Sequence, residues 1–349
     1  MKQLRSTDRY FILLLLLITL LLFWPLYHGS TTLKWDATDL TLPSFSLIRT
    51  AVWQGEFPLW NPFQDQGWAT GIVPLFWNPL YLALGSLFAS PHHALNSIYL
   101  ILIMISGWGF YKFSGLFFHH PSSAMVAGLV YSLSGFFLAH SQHLGWIEGA
   151  AWSPVILYLS HQYLKHHKVY HLLFLAISFY LFSTGAYPGF VIVMIYLLFF
   201  QALYHVFQNQ NNLRIPLRKI LHIVAATGFV SWLTWKLYLE QLRYITRGSG
   251  DWKISTDTGS SLFSDLWSLI FSKTGTTALD TFWLNDPAFV NSFFSLLLLV
   301  WAGYGLVRRP ERTDIQLAFA SLFFLLISMA SSLPFREWLN LLPGFSYFR

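Results

Sequence analysis

The stretch Pro74-Leu-Phe-Trp-Asn-Pro-Leu-Tyr-Leu-Ala-Leu-Gly-Ser-Leu-Phe88 decides how the whole chain is threaded. It is apolar enough to enter a bilayer and short enough to be read either as a span or as a helix lying on the surface. The choice inverts every later connection. If the stretch does not cross, further spans fall near 95–113, 121–139, 147–164, 169–185, 188–207, 219–240, 288–307 and 315–333, after a first span over Tyr10 to Tyr27. The clusters Lys165/Lys168, Arg214/Arg218/Lys219 and Arg308/Arg309/Arg312 then share one side with Lys2, Arg5 and Arg9, against only Asp8, Glu311 and Asp314. Positive charge collects on the cytoplasmic side of membrane proteins. The charge pattern therefore predicts about nine spans, an N-terminus in the cytoplasm, and a surface helix at 79–88.

Composition agrees with that class. Apolar residues make up 55% of the chain and charged ones 10%, well under the roughly 25% of soluble domains. The expectation is an all-α polytopic protein of the plasma membrane. There is no cysteine, which excludes a disulfide framework and thiolate metal or redox sites. The excess of Lys and Arg is scattered over short loops, so it encodes orientation and points to no nucleic acid. Lys2, Arg5 and Arg9 ahead of an apolar run resemble a signal peptide, yet no small-residue cleavage site follows Trp24-Pro25, and the run reads as an uncleaved span.

The chain is expected to form one transmembrane domain over 1–349, with outer segments at 28–93, 241–287 and from 334 onward. Loops carry function more often than the scaffold beneath them, so the working face is expected to be extracytoplasmic. Within 28–93, Leu42, Phe45, Ile48 or Arg49, and Val52 fall near helical spacing with Pro43 in the first turn. A second short helix starts at Pro79. Both suit interfacial helices, with Trp53, Trp60, Trp68 and Trp77 at headgroup depth.

Several motifs resemble the YfhO-type bacterial membrane proteins, within the wider class of GT-C-fold glycosyltransferases. These are Asp36 ahead of Pro43, Gly55 with Pro58-Leu59-Trp60-Asn61-Pro62, Gly67, Gly71, Asn78-Pro79, Ala151-Trp152-Ser153-Pro154 and Leu342-Pro343-Gly344-Phe345-Ser346-Tyr347-Phe348-Arg349. The chain stops inside that last motif, so it is expected to be an N-terminal portion of a longer protein. The resemblance implies a GT-C-like helix bundle, a polyprenyl-phosphate-linked sugar as donor, a cell-envelope glycan or lipid as acceptor, and an inverting single displacement.

Such a transfer needs a base for the acceptor hydroxyl and cationic or hydrogen-bonding groups for the departing phosphate. Asp36 is the expected base, with Asp39 as second choice or orienting partner. The alternatives are that the two acids cap the helix that follows or hold a divalent metal, which nothing else in the sequence indicates. Lys236, Glu240, Arg243 and Arg247 share one helical face by their spacing, either as a phosphate clamp or as a salt-bridged stripe with arginines reaching the interface. His140 and His143 lack a third histidine at fixed spacing and read as substrate contacts ahead of metal ligands. Glu148 sits at the edge of an apolar span, where an ionisable group is costly and tends to face a cavity. Trp35, Trp60, Asn61, Trp146 and the terminal Arg349 complete the expected binding residues. Two other functions stay open: a transporter or flippase for a lipid-linked saccharide, and a noncatalytic scaffold.

Overall fold

Arg9 is followed by an apolar run that winds into α1 (Lys2–Leu22), and the helix breaks at Phe23, just before the four-residue α2 (Trp24–Tyr27). Pro25 sits in the first turn of α2, where its missing N–H costs nothing. The expected span to Tyr27 is thus a longer helix that starts earlier and ends sooner. These helices belong to a computed structural model that describes residues 2–63, 66–208, 214–244 and 296–308, with a few isolated positions beyond.

The segment 28–90 follows. A π-helical turn (Ala37–Thr41) leads into α3 (Leu42–Trp53), and a two-stranded antiparallel ribbon pairs β1 (Trp60–Asn61) with β2 (Trp68–Ala69). Helix α4 (Pro79–Leu87) closes the segment. The chain continues through α5 (Pro91–Ser114), α6 (Pro121–Ser132), α7 (Gly135–Ala139), α8 (Leu144–His166), α9 (Val169–Gly185), α10 (Pro188–Gln208), α11 (Arg214–Tyr244) and α12 (Leu296–Arg308). Two compact units divide it: Met1–Ser132 with Ser141–Arg247, and Leu133–His140 with Gly248–Arg349. In the second unit the described elements are α7, with Phe136 and Phe137 edge to face, and α12, where Arg308 lies over Tyr304.

Among the described residues, the stretches Pro91–Ser114, Pro121–Gln142, Pro188–Phe207 and Leu217–Leu237 are long and apolar enough to cross a membrane, and Val169–Gly185 is a shorter apolar helix. That is the make-up of an all-α membrane protein. The expected span 121–139 comes as α6 and α7, broken at Leu133 and Ser134, where Ser134 turns extended to start the next helix. The span at 315–333 and the start of the one at 288–307 lie outside the described residues.

Helices α1 and α5 run antiparallel. Asp8 accepts hydrogen bonds from Tyr111 and Lys112, Phe11 packs on Tyr111 at 4.4 Å, Leu15 meets Gly107, and Phe23 meets Tyr99 edge to face. At the far end, Asn96 donates to the carbonyls of Leu26 and Thr31. The segment 28–90 therefore leaves and re-enters at the same end of this pair. Helix α4 has nine residues and is about 14 Å long, half the roughly 30 Å of a hydrocarbon core. α3 and α4 lie side by side, with Phe45 stacked on Tyr81 at 5.5 Å and Ile48 against the bare Cα of Gly85.

Proline inside α8 illustrates how the bundle meets its backbone needs. Pro154 has no N–H for the Ala150 carbonyl, and Tyr131 of α6 donates its hydroxyl to that oxygen instead, at 2.9 Å. Gly145 and Gly149 on α8 let the α9–α10 turn come close, with Tyr187 N–H donating to the Gly145 carbonyl at 2.9 Å and Phe190 lying over Gly149. At its other end α8 meets α11, where Lys219 donates to the Leu164 carbonyl.

Candidate functional site

Trp35 opens the site with a backbone that L-residues rarely adopt, φ 52°. In that conformation its carbonyl accepts from Thr38 N–H at 2.7 Å and Asp39 N–H at 2.8 Å, while the Thr38 hydroxyl donates to the Leu33 carbonyl at 2.6 Å. The π-turn then carries the chain into α3. Single π turns and strained residues cluster at functional positions. Asp36, immediately after Trp35, is exposed, and its Oδ2 lies 3.6 Å from His143 Nε2. Neither Asp36 nor Thr41, the residues at the starts of the π-turn and α3, caps with its side chain. The capping alternative therefore fails for Asp36, and Asp39 is simply exposed.

His143 precedes the first turn of α8. Its ring is 6.0 Å from that of Trp146, which in turn meets Tyr187 at 5.6 Å and Phe190 at 6.0 Å. A carboxylate, an imidazole and three aromatic rings thus gather at the end of the first unit where the segment 28–90 sits. His140 begins a short turn, His140–Gln142, and packs against Phe136 at 4.5 Å. Among the described residues no group of three His, Asp or Glu side chains could hold a metal ion.

Glu148 lies one turn further along α8 and is fully enclosed. Its Oε1 accepts from Asn78 Nδ2 at 3.0 Å and its Oε2 from the Tyr81 hydroxyl at 2.9 Å. Trp152 turns its indole N–H toward the same carboxylate, short of hydrogen-bond geometry. Asn78 spends every polar atom: a second donation to the Leu181 carbonyl at 3.1 Å, and acceptance from Leu80 N–H, which caps α4. Tyr180 adds a bond to the Trp77 carbonyl at 2.8 Å. Against the other face of the carboxylate lies Gly185, where any Cβ would collide with it. In this conformation Glu148 meets protein groups on all sides and ties the segment 28–90 to α8 and α9.

Trp60 and Asn61 sit in the ribbon. Trp60 is half exposed, with Gly67 in left-handed conformation (φ 108°) beneath its indole, and Asn61 accepts from Phe63 N–H at 3.0 Å to shape the turn. The ribbon is held by the Thr70 hydroxyl donating to the Pro58 carbonyl and by Trp77 Nε1 donating to the Gly71 carbonyl. On α11, Lys236 rests over Trp232 at 4.8 Å from the ring centre. Arg247 and Arg349, and the side chains of Glu240 and Arg243, lie outside the described residues.

Asn78, Tyr81, Tyr187 and Phe190 were not among the expected site residues. The Asn78-Pro79 pair carries a helix-start signature that marks Asn78 as a cap, but its link to Glu148 spans seventy residues and leaves no local trace. No protein-family model, curated protein or solved structure matches the chain.

Proposed function

We propose that the chain is a membrane glycosyltransferase of GT-C type, with about nine spans and a cytoplasmic N-terminus, in which Asp36 acts as general base on the outer face of the plasma membrane. The observation that carries this reading is the exposed Asp36 carboxylate, which follows a strained Trp35 and lies opposite His143, whose ring neighbours Trp146 and through it Tyr187 and Phe190. An acceptor hydroxyl placed against Asp36 loses its proton to the carboxylate as its oxygen attacks the anomeric carbon. The bond from that carbon to the carrier phosphate breaks, and the polyprenyl phosphate leaves with the electron pair. His143, when protonated, steadies the Asp36 carboxylate and fixes its direction. Its contact with Asp36 is longer than a hydrogen bond, as catalytic contacts often are without substrate. The aromatic rings suit the apolar face of a sugar ring.

The test is transfer by the purified protein in vesicles, with a radiolabelled polyprenyl-phosphate sugar as donor. Asp36→Asn keeps the shape and removes the proton acceptor, so transfer should fall about 10²- to 10⁴-fold while donor binding persists. Undiminished transfer by Asp36→Asn would remove the base from the mechanism. Movement of the labelled lipid across the bilayer with no transfer would favour the flippase alternative.

A further inference from the structure

At the end of the first unit away from Asp36, basic groups gather where α8, α9, α10 and α11 meet. Tyr163 and His222 share a 2.5 Å hydrogen bond, and the His167 ring stacks on that of His222 at 5.7 Å and 13°. His167 itself is a left-handed residue closing α8 (φ 53°). Around this core stand Lys165, Lys168, Arg218 and Lys219. Their charges reach the neighbouring imidazoles of His161, His167, His171 and His205. Desolvation, followed by the charges of Lys219, His222 and Arg218, holds His167 below the usual imidazole range.

No described acid balances this group. Asp8, the carboxylate described at this end, is already engaged by Lys112 and Tyr111. Lys165, Lys168 and Arg218 are exposed and have no ion-pair partner among the described residues. The cations sit at two adjacent helix junctions, and the adjoining turns of α9 and α11 expose Tyr170, Leu173, Phe174, Leu217 and Leu221. Fixed positive charge directly beside exposed apolar side chains is complementary to a phosphate with acyl chains attached.

We propose that this junction is a binding site for the headgroup of an anionic phospholipid of the surrounding leaflet, with Lys165, Lys168 and Arg218 as its phosphate contacts. Basic pockets between membrane helices recognise such headgroups, at about fivefold in affinity for each Lys or Arg near the surface. The site stands independently of the transfer reaction.

The experiment uses the full chain in neutral detergent, titrated with phosphatidylglycerol and with phosphatidylcholine, with bound lipid counted by native mass spectrometry. Phosphatidylglycerol should be retained and phosphatidylcholine not. The triple variant Lys165→Gln/Lys168→Gln/Arg218→Gln should bind phosphatidylglycerol about a hundredfold more weakly. Arg218→Gln alone should lose about fivefold, and it keeps the test open if the triple variant misfolds. Arg9→Gln, an exposed cation removed from the junction, should lose nothing. Equal loss in Arg9→Gln and Arg218→Gln would reduce the effect to bulk charge and overturn the site. Displacement of the lipid by millimolar inorganic phosphate would replace the lipid by a soluble anion, and unchanged binding in the triple variant would end the proposal.

Discussion

Tyr81→Phe removes a single oxygen and isolates the energetics of the Glu148 lock. The hydroxyl donates to Oε2 at 2.9 Å, and the carboxylate has no exposure through which water could replace it. Hydrogen bonds to charged groups are worth about 1.5–3 kcal/mol, whereas bonds between membrane helices average about 0.6 and reach about 1.7 kcal/mol. Full enclosure, with Asn78 already committed to two acceptors, places this bond at the upper end of the membrane range, near 1.7 kcal/mol. The decisive comparison is the same change made after Glu148→Leu. There the Tyr81 hydroxyl has lost its acceptor and sits buried and unsatisfied, so removing it should cost nothing or stabilise the fold.

The prediction is therefore a change of sign. Tyr81→Phe costs about 1.7 kcal/mol in the natural chain and zero or less after Glu148→Leu. Unfolding by increasing SDS fraction in mixed micelles, followed by circular dichroism, measures all four corners of the cycle. An equal cost in both backgrounds would show that the Tyr81 hydroxyl does not act through the carboxylate, and the lock would be refuted.

Gly185→Ala should cost about 1–3 kcal/mol through overpacking against Glu148, with most of that loss relieved when Glu148→Ala opens the space. Because the chain has no cysteine, Glu56→Cys and Lys165→Cys each carry a single reporter. An impermeant thiol reagent should label the first from outside and the second only after the vesicles are opened, and labelling of both from one side would break the proposed topology. Asp39→Asn should reduce transfer much less than Asp36→Asn, and inactivity of Asp39→Asn beside a working Asp36→Asn would move the base three residues along.

Local signals were readable wherever a residue type acts through its own backbone. Pro43 in a first turn and the apolar spacing after it predict α3 at its observed bounds, and Asn78-Pro79 predicts the start of α4. The buried face of α3 is nevertheless turned from the expected one. Phe45, Leu47, Ile48 and Ala51 are buried, while Leu42 and Val52 are only partly so, because α4 approaches along Phe45 and Ile48. The expected span 147–164 runs through Pro154, and the hydroxyl of Tyr131 on another helix takes up the carbonyl that the proline leaves without a donor. The cost of an ion in an apolar span singled out Glu148, but among the described residues it faces enclosing protein groups and no cavity, and the spacing of its partners follows from tertiary packing. The same holds for Asp36 and His143, which no sequence period connects.

Three expected site residues, His143, Trp146 and Glu148, fall within two turns at the start of α8, and the segment 28–90 grips that stretch at two points. The Glu148 grip is buried and saturated with hydrogen bonds. The Asp36 grip is exposed and loose, at 3.6 Å. This asymmetry suits a site that must hold its scaffold still while one carboxylate stays free to meet a proton. The stacking of Tyr81 on Phe45 carries the buried grip into α3, and α3 continues without a break from the turn that bears Asp36. A disturbance at Glu148 should consequently reach Asp36 through packed side chains, although the two carboxylates share no hydrogen-bond partner among the described residues. Under the proposed reaction, Tyr81→Ala, which removes the ring from Phe45, should then lower transfer through misplacement of the base more than Tyr81→Phe, which keeps that ring in place. Positioning errors of about 1 Å are costly in catalysis.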